Sequence, residues 1–304
     1  MTSDPTSSPP ACPPATQSPG FTNPAEVDLR ELVTAERVLI ALDFDGVLAP
    51  LQDDPETSRI LPESAAAIAA LSSIPGTRVA LVSGRDIATL RRLTAPPEDV
   101  WIVGSHGAEV DLGTAARSPE LTAAERSMLS AIDDHLDSFA HTLPVEAAEA
   151  PSATGFRVER KPYSRTVHTR GFDAAFASAL HEHAVAVQQE FPDIRVIEGH
   201  DITELAVKQA TKGDGLRELM TAEAATAVAY FGDDVTDEDA FAELERLSAD
   251  HPAAVLGVKV GPAPTRAPVR IADPDAVAAL LARLAKQRLA AQRLSAQRRS
   301  ADDS

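Results

Sequence analysis

Short apolar runs alternate with amphipathic segments along most of this chain, and several of the runs stop directly before polar or glycine residues. Runs of four to eight aliphatic or β-branched residues predict buried strands. The segment after Pro62 has its apolar residues at helical spacing, and proline is well tolerated in the first turn of a helix. Strands that alternate with helices in this way predict an α/β fold with a doubly wound parallel sheet. The predicted strands of this pattern are residues 37–42, 77–82, 100–103, 225–231 and 254–258.

The alternation is interrupted in the middle of the chain, between about residue 109 and residue 205. There the pattern predicts two long helices and two pairs of short strands, and the strand–helix alternation then resumes. The simplest interpretation is a core that is split in sequence, with a smaller α/β cap domain inserted between its halves. The predicted divisions are a disordered lead (1–24), a core in two pieces (25–108 and 208–285), a cap (109–207) and a basic C-terminal tail (286–304). The tail is either a helix extension or a frayed end.

Composition narrows the class of protein. The chain has 304 residues, 44% of them hydrophobic, and a formal charge of −18. Such a charge disfavours nucleic acid as a partner, because no long basic face offsets it. The single cysteine, Cys12, excludes an internal disulfide network, and no run approaches the roughly 18 apolar residues of a membrane span. We therefore expect a cytoplasmic protein that binds neither nucleic acid nor membrane. Separately, we expect a monomer or a weak oligomer.

Candidate chemistry begins where the first predicted strand ends, at Asp43 and Asp45. The Asp43 carboxylate could attack phosphorus to give an aspartyl-phosphate, as carboxylate nucleophiles do. Asp45, two residues later, could protonate the leaving oxygen and then activate water. Taken alone, the pair could instead be two capping aspartates in a strand–helix turn.

Two further segments supply groups that could hold a phosphate. Ser83 and Gly84 lie between a strand and a helix, where a hydroxyl and free N–H groups can bind an anion. Lys212 opens a helical segment and could neutralise both a carboxylate and phosphoryl oxygens. The alternatives are an ordinary serine helix cap and a solvated lysine. Arg85 could contact substrate, although an arginine at a helix start more often lies on the surface.

The segment GDDVTDED contains five acidic residues in eight, directly after a predicted strand. Such charge density favours a bound cation, and Mg²⁺ is usually held by one or two carboxylates together with phosphate oxygens and water. Asp233 is the best candidate ligand, with Asp43 and the main-chain carbonyl of Asp45. Asp237 could position a water or the lysine. Glu238 and Asp239 would stabilise the N-terminus of the following helix through its dipole.

Outside these segments, one stretch carries candidate chemistry. Residues 156–170 contain five Lys or Arg residues in an acidic protein. On a strand, Glu159 and Lys161 share a face and could bind hydroxyl groups of a polar substrate. An exposed, salt-bridged strand explains the same pattern equally well. His181 and His183 lie two apart on a predicted helix and face different directions, so they do not indicate a metal site.

The order of these motifs resembles the four-motif signature of the haloacid dehalogenase superfamily. A closer resemblance is to the trehalose-6-phosphate phosphatases, and it covers roughly residues 37–285. It is carried by LDFDGVLAPL, LVSGR, GSHGAE, VERK followed by HTR, EGHDITEL, TKG and FGDDVTDEDAF. In one place the chain departs from the family, which often has Glu-Leu-Arg-Pro where this chain has Glu204-Leu205-Ala206-Val207. Lys208 is a possible substitute for the missing arginine.

The resemblance implies a set of residue roles. Asp43 would be the nucleophile and Asp45 the acid and base, with Lys212 as the catalytic lysine. Mg²⁺ would bind Asp43, Asp45 and Asp233. The substrate would contact Asp43, Phe44, Asp45, Ser83, Gly84 and Arg85 on the core, and Glu159, Lys161 and Glu204 on the cap, with His168 and Arg170 as further candidates.

The implied activity is the Mg²⁺-dependent hydrolysis of trehalose 6-phosphate to trehalose and phosphate. The second aspartate, Asp45, favours a phosphatase or mutase, because relatives that cleave carbon–halogen bonds lack it. The nearest alternative is a phosphatase for another sugar phosphate, such as sucrose phosphate or mannosyl-phosphoglycerate. A non-catalytic regulator that binds a sugar phosphate is an alternative of a different class.

Overall fold

The computed structural model describes residues 20–114, 116–142, 156–199, 201–250 and 253–302. Most of the lead that the sequence predicts to be disordered, residues 1–19, lies outside these ranges. Residues 20–24 are described, and the Thr22 N–H donates to the carbonyl of Arg270 over 2.7 Å. None of the helices in these ranges combines the length and the apolar character of a membrane span.

Helices and strands alternate as the apolar pattern predicts, with boundaries within a few residues of the expected ones. The helices are α1 (Arg30–Thr34), α2 (Pro62–Ser72), α3 (Ile87–Thr94), α4 (Ala123–Thr142), α5 (Ala174–Ala186), α6 (Lys212–Glu223), α7 (Asp237–Asp250) and α8 (Pro274–Asp302). The strands are β1 (Val38–Leu42), β2 (Thr77–Val82), β3 (Trp101–Gly104), β4 (Glu109–Asp111), β5 (Ala116–Arg117), β6 (Arg157–Arg160), β7 (Ser164–His168), β8 (Arg195–Gly199), β9 (Ile202–Ala206), β10 (Ala227–Gly232), β11 (Ala254–Val260) and β12 (Val269–Ile271).

Eight strands form one sheet in the order β12-β11-β10-β1-β2-β3-β4-β5. The first six run parallel to one another, which confirms the predicted α/β class. The pairs β3–β4 and β4–β5 are antiparallel, an edge that the sequence pattern does not predict. Only a four-residue turn joins β3 to β4, and a parallel pair would need a crossover of a dozen residues or more.

Strand β1 lies at the centre of this sheet and is buried on both faces. Its residues Val38, Ile40 and Leu42 pack on one side with α2 and α8. The alternate residues Leu39 and Ala41 pack on the other side with α6 and α7. A strand that is covered on both faces has to be apolar throughout, which explains the unbroken run VLIAL.

The register of the sheet brings the ends of three strands together. Leu42 of β1 pairs with Phe231 of β10 on one side and with Leu81 of β2 on the other. The residues that follow these strands therefore emerge side by side at the carboxyl edge of the sheet, where open α/β folds bind ligands.

A second, four-stranded sheet is antiparallel, in the order β6-β7-β9-β8. Helices α4 and α5 cover one face of it through an apolar cluster that includes Ile132, Leu136, Leu180 and Leu205. All of these elements lie between β5 and α6 in the chain, within the segment that the sequence analysis assigns to a cap.

The basic C-terminal stretch continues helix α8 as far as Asp302. This is the helix-extension alternative, and it means that residue 286 is not the start of a separate segment. Arg288 is almost fully buried, and its guanidinium donates to the hydroxyl of Thr77 and to the carbonyls of Leu32 and Gly76. This part of the helix therefore holds the amino edge of the large sheet.

Candidate active site

A buried ion-pair network occupies the carboxyl edge of β1. The Nζ atom of Lys212, the first residue of α6, lies 2.8 Å from Oδ2 of Asp43 and 2.7 Å from Oδ1 of Asp237. All three side chains are at most 6% exposed. Thr211 fixes the start of α6, because it and Asp214 form a reciprocal capping box, so that the lysine enters the site from a defined helix terminus.

Burial and charge act against each other in this network. Burial, opposed by the charge of Lys212 and assisted by the neighbouring Asp237, raises the pKa of Asp43 to about 7. Burial would lower the pKa of Lys212, but its two carboxylate partners hold that pKa well above the usual value. Lys212 is therefore a permanent cation beside Asp43.

Asp237 is fully engaged by hydrogen bonds. Its Oδ1 accepts from Lys212 and from the Tyr230 hydroxyl (2.7 Å), and its Oδ2 accepts from the N–H groups of Asp233 and Asp234 (2.8 and 2.9 Å). Although burial raises the pKa of Asp237, Lys212 and these hydrogen bonds bring it below the usual value. Asp237 thus positions the lysine and shapes the acidic loop.

Asp45 faces the other side of the cavity and forms a two-point ion pair with Arg85. The Nε–Oδ2 and Nη2–Oδ1 distances are 2.6 and 2.8 Å, and the Ser58 hydroxyl also donates to Asp45. The side chain of Arg85 is only 11% exposed, so the surface-residue alternative is wrong for this arginine. This pair could not be predicted from the sequence, because the two residues are 40 apart and follow different strands.

Three of the predicted substrate-contact residues, Ser83, Gly84 and Phe44, lie near Asp43. Ser83 is buried, and its hydroxyl accepts from the Arg85 N–H at 3.3 Å. Gly84 lines the same cavity as Asp43 and Lys212. Phe44 does not line it, because its ring is buried in the core, while its N–H donates to Asp43 Oδ1 at 2.6 Å. A contact of Phe44 with substrate is thus limited to its main chain.

The acidic groups fit a divalent cation. Carboxylate oxygens of Asp43, Asp233 and Asp237 lie within 4.8 Å of one another. Burial, and next the charge of Asp43, raise the pKa of Asp233 well above its usual value, and the opposing charge of Lys212 does not offset them, so a bound cation would favour its ionised form. Since Asp237 is already engaged, Asp43 and Asp233 are the better ligands. The carboxylate of Asp45 is turned to Arg85, so only its main-chain carbonyl suits the third predicted position.

Gly46 makes this approach of the acids possible. Its φ of +73° is favoured only for glycine, and a Cβ atom here would lie 2.0 Å from Oδ2 of Asp233. Asp233 therefore packs directly on the backbone that follows Asp45. Any side chain at position 46 would push the loop that contains Asp45 away from the loop that contains Asp233.

Lys259 is a buried cation that the sequence analysis missed. It belongs to β11 and is 1% exposed, and its Nζ donates to the main-chain carbonyls of Asp233 (2.6 Å) and Asp234 (3.4 Å). Glu238 lies 3.8 Å away. The available signal was a single lysine inside the otherwise apolar run AVLGVKV, where an unpaired ammonium would be costly.

A cavity of about 580 Å³ opens above this network and is also lined by the four-stranded sheet. The predicted cap residues Glu159, Lys161 and Glu204 all line it. Lys161 Nζ lies 2.8 Å from Glu204, and His168 lies 3.1 Å from Glu159. Lys161 is thus ion-paired with Glu204 and His168 is in contact with Glu159, and all four residues line the cavity.

Lys208 does not line this cavity. Its ammonium pairs with Glu125 at 2.9 Å and lies 5.7 Å from the ring centre of Tyr163. It therefore does not replace the arginine that the family often has two residues earlier. Arg170 does line the cavity, and it contacts Asp53 (2.9 Å) and the carbonyl of Gln52 (3.1 Å) on the loop after β1.

The cavity is unusual for one that would receive an anion. Eight Asp or Glu side chains line it, against five Lys or Arg side chains. A phosphate would meet a net negative environment unless a cation were bound among the carboxylates. The charge balance therefore agrees with the acidic cluster in favouring a divalent metal.

Comparison with known proteins identifies the family. A model of the trehalose-phosphatase family matches residues 41–275. Trehalose 6-phosphate phosphatase RA3 of Zea mays is 27% identical over 83% of this chain and 71% of its own length. The trehalose-phosphate phosphatase of Mycobacterium leprae is 29% identical over 85% of this chain, which spans 60% of that protein. The C-terminal domain of the Candida albicans trehalose-6-phosphate phosphatase has the same fold, with a TM-score of 0.74, 24% identity, and coverage of 90% of this chain and 99% of that one. This chain belongs to the trehalose-phosphatase family.

Proposed function

We propose that this protein hydrolyses trehalose 6-phosphate to trehalose and phosphate, a step of trehalose biosynthesis, with Mg²⁺ as cofactor and an aspartyl-phosphate intermediate on Asp43. The observation that carries the proposal is the position of Asp43. Its carboxylate lies beside a permanent ammonium, among buried acids, at the base of a cavity whose opposite wall carries polar groups of a second sheet. Membership of the family supports the choice of substrate.

In the first step, an Asp43 carboxylate oxygen attacks phosphorus as the bond to the sugar oxygen breaks. Lys212, held by Asp237, keeps Asp43 oriented and stabilises negative charge on the phosphoryl oxygens. Ser83 and Gly84 bind those oxygens through the hydroxyl and main chain. Mg²⁺ on Asp43, Asp233 and the Asp45 carbonyl would supply charge neutralisation at the phosphoryl group.

Asp45 carries the protons. As a carboxylic acid it donates a proton to the departing sugar oxygen, and as a carboxylate it then takes one from the water that attacks the aspartyl-phosphate. That attack releases phosphate and restores the Asp43 carboxylate. We propose that the incoming phosphate draws Arg85 away from Asp45, because a guanidinium can bind either anion at two points.

We further propose that the four-stranded sheet with α4 and α5, which lies within the predicted cap segment 109–207, acts as a cap on the core that contains the large sheet. Strands β4 and β5, at the start of that segment, pair with β3 and so belong to the core. Glu159, Lys161 and Glu204 would bind sugar hydroxyls, since carboxylates accept and an ammonium donates hydrogen bonds. The core groups recognise only the phosphoryl end. Selection of the sugar would therefore rest with the cap, and its closure would keep bulk water from the intermediate.

Phosphate release from a panel of esters tests this function. With Mg²⁺, the purified protein should hydrolyse trehalose 6-phosphate far faster than glucose 6-phosphate, sucrose 6-phosphate or mannosyl-phosphoglycerate. EDTA should abolish the activity, and added Mg²⁺ should restore it. Equal rates across the panel would reject the substrate, and full activity in EDTA would reject the cofactor.

A further inference from the structure

His106 lies in a strained turn between β3 and β4. Ser105 and His106 have φ values of +49° and +55°, in the left-handed region that residues other than glycine seldom adopt. Gly107 follows with φ of +110°, and a Cβ atom there would lie 2.2 Å from the carbonyl of Thr211. The turn therefore has to pack tightly against the segment that leads into Lys212. Strain of this kind tends to occur at functional sites.

The turn is hydrogen-bonded to residues 83–85, the predicted phosphate loop. The N–H of His106 donates to the Ser83 carbonyl (3.0 Å), and the N–H of Ser105 donates to the Arg85 carbonyl (2.8 Å). The imidazole lies directly on Gly84, where a Cβ atom would be only 2.4 Å from Cε1 of the ring. The imidazole position is thus fixed relative to the groups that would hold the phosphate.

The same ring also reaches the four-stranded sheet. Nε2 of His106 lies 3.4 Å from Oε2 of Glu204, on β9. Glu204 also accepts from Lys161 Nζ (2.8 Å) and from the Ser164 hydroxyl (2.6 Å). Lys161 and Ser164 belong to the same unit as Glu204 and stay with it if that unit moves. Among the hydrogen bonds and ion pairs of the described residues, only the His106 contact holds this carboxylate from the core.

The chemistry of the pair fixes where the proton lies. Burial lowers the pKa of His106, so the ring is neutral and carries one N–H. Although burial would raise the pKa of Glu204, Lys161 and His106 hold it well below the usual value, so Glu204 is a carboxylate and can only accept. The proton of the ring therefore belongs on Nε2. Nδ1 is buried, with no hydrogen-bond partner among the described residues.

We propose that His106 is a positioning residue that couples the sugar-binding carboxylate Glu204 to the phosphate loop. The inference rests on the proposed function. When the cap is closed, the Nε2–H of His106 orients Glu204 toward the sugar while the ring rests on Gly84. A substrate whose phosphate binds the phosphate loop and whose sugar binds Glu204 would thereby stabilise the closed state. A phosphate ester without the sugar would not be affected by the contact between His106 and Glu204.

Two substitutions at this position separate the hydrogen bond from the backbone conformation. Asn tolerates the left-handed conformation, but its amide nitrogen corresponds to Nδ1 and does not reach Glu204. Gln places its amide nitrogen near the position of Nε2. We expect His106→Asn to lower kcat/KM for the sugar phosphate about 10- to 100-fold, the range for a hydrogen bond to a charged group. His106→Gln should recover part of the loss, and turnover of p-nitrophenyl phosphate should stay within about twofold in both variants. His181→Asn, outside the cavity, is the control.

A double-mutant cycle with Glu204→Gln measures the coupling between the two residues in kcat/KM. If His106 only stabilised the fold, this coupling would be absent. If the two residues act through one another, His106→Asn should add little to the defect of Glu204→Gln. Additive defects, or a loss of p-nitrophenyl phosphate turnover as large as the loss for the sugar phosphate, would overturn the proposal. The cycle is to be run on whichever ester of the panel the wild type hydrolyses fastest. A wrong substrate assignment would then appear in the wild type alone and would leave the test of His106 intact.

Discussion

The burial of the Asp43 carboxyl group places it for chemistry but lowers the stability of the fold. Asp43 is 4% exposed at the end of an apolar strand, and its pKa is raised from 3.8 to about 7. In the folded protein the carboxyl therefore holds its proton more tightly than in the unfolded chain. Its ionisation costs stability progressively as pH rises from about 4 to about 7, and the full cost persists above pH 7.

Replacement of Asp43 by Asn should accordingly abolish turnover and stabilise the metal-free fold. Asn cannot form the aspartyl-phosphate, so we expect kcat to fall by a factor on the order of 10³ or more, while sugar-phosphate binding persists. In EDTA at pH 8 the variant should be more stable than the wild type by on the order of 1–3 kcal/mol, an advantage that disappears toward pH 4. Urea unfolding at several pH values and calorimetric ligand titration measure both effects.

The two parts of this prediction can fail separately. Turnover that survives in Asp43→Asn would assign the nucleophile elsewhere. A wild-type protein that binds the sugar phosphate but never releases phosphate would favour a regulator. A variant less stable than the wild type at pH 8 would show that Lys212 stabilises the ionised carboxylate more than burial opposes it.

Strand β11 acts on the acidic loop from outside the cavity. Lys259 is buried beneath the loop, and its ammonium holds the carbonyls of Asp233 and Asp234. A buried lysine with carbonyl acceptors fixes the main chain and so directs the carboxylate of Asp233. This is the type of outer contact that tunes a metal ligand without touching the metal.

We therefore expect Lys259→Met to weaken Mg²⁺ binding about 10- to 100-fold. The loss of a donor to buried carbonyls should also cost about 1–3 kcal/mol of folding stability. Isothermal titration with Mg²⁺ and thermal unfolding with and without the ion measure the two effects. Lys286→Met, at an exposed position of α8, is the matched control and should change neither. Unchanged Mg²⁺ affinity in Lys259→Met would mean that the loop keeps its shape without the ammonium.

The elements of the large sheet could be predicted because their signals are local. Apolar runs mark β1, β2 and β10, and the rule that parallel strands end at one edge places Asp43, Ser83 and Asp233 together. The antiparallel pair β3–β4 was missed because β4 has only three residues, too few for a pattern. The partners of Arg85, Lys259 and His106 could not be predicted, since each depends on contacts between segments far apart in sequence.

The negative charge of the whole molecule opposes the binding of an anionic substrate, and cationic residues near both sheets offset it at the cavity. The chain carries a formal charge of −18, and the substrate that we propose is itself an anion. Cations from both units meet at the cavity: Arg85 and Lys212 come from the core elements, and Arg157, Lys161 and Arg170 from the segment around β6 and β7. The full set of positive charges is therefore assembled only when the two units face each other across the cavity.

Two of these arginines bridge the units at the rim. Arg170 lies 2.9 Å from Asp53, and Arg157 lies 3.6 Å from Asp54, both on the loop after β1. Exposed pairs of this kind contribute about 0–1 kcal/mol each and weaken as salt screens them. Together they would favour the closed arrangement only modestly.

The double variant Asp53→Asn/Asp54→Asn should therefore raise KM for the sugar phosphate about two- to fivefold at low ionic strength, because closure loses up to about 1 kcal/mol. Its kcat for p-nitrophenyl phosphate should not change, since neither aspartate touches the phosphoryl site. The difference between wild type and variant should vanish in about 0.5 M salt, where the wild-type pairs are screened as well. Kinetics across a salt series measure this. A difference that is independent of salt would mean that the loop acts through its shape, and a fall in KM would mean that the aspartates repel the anionic substrate more than they hold the cap.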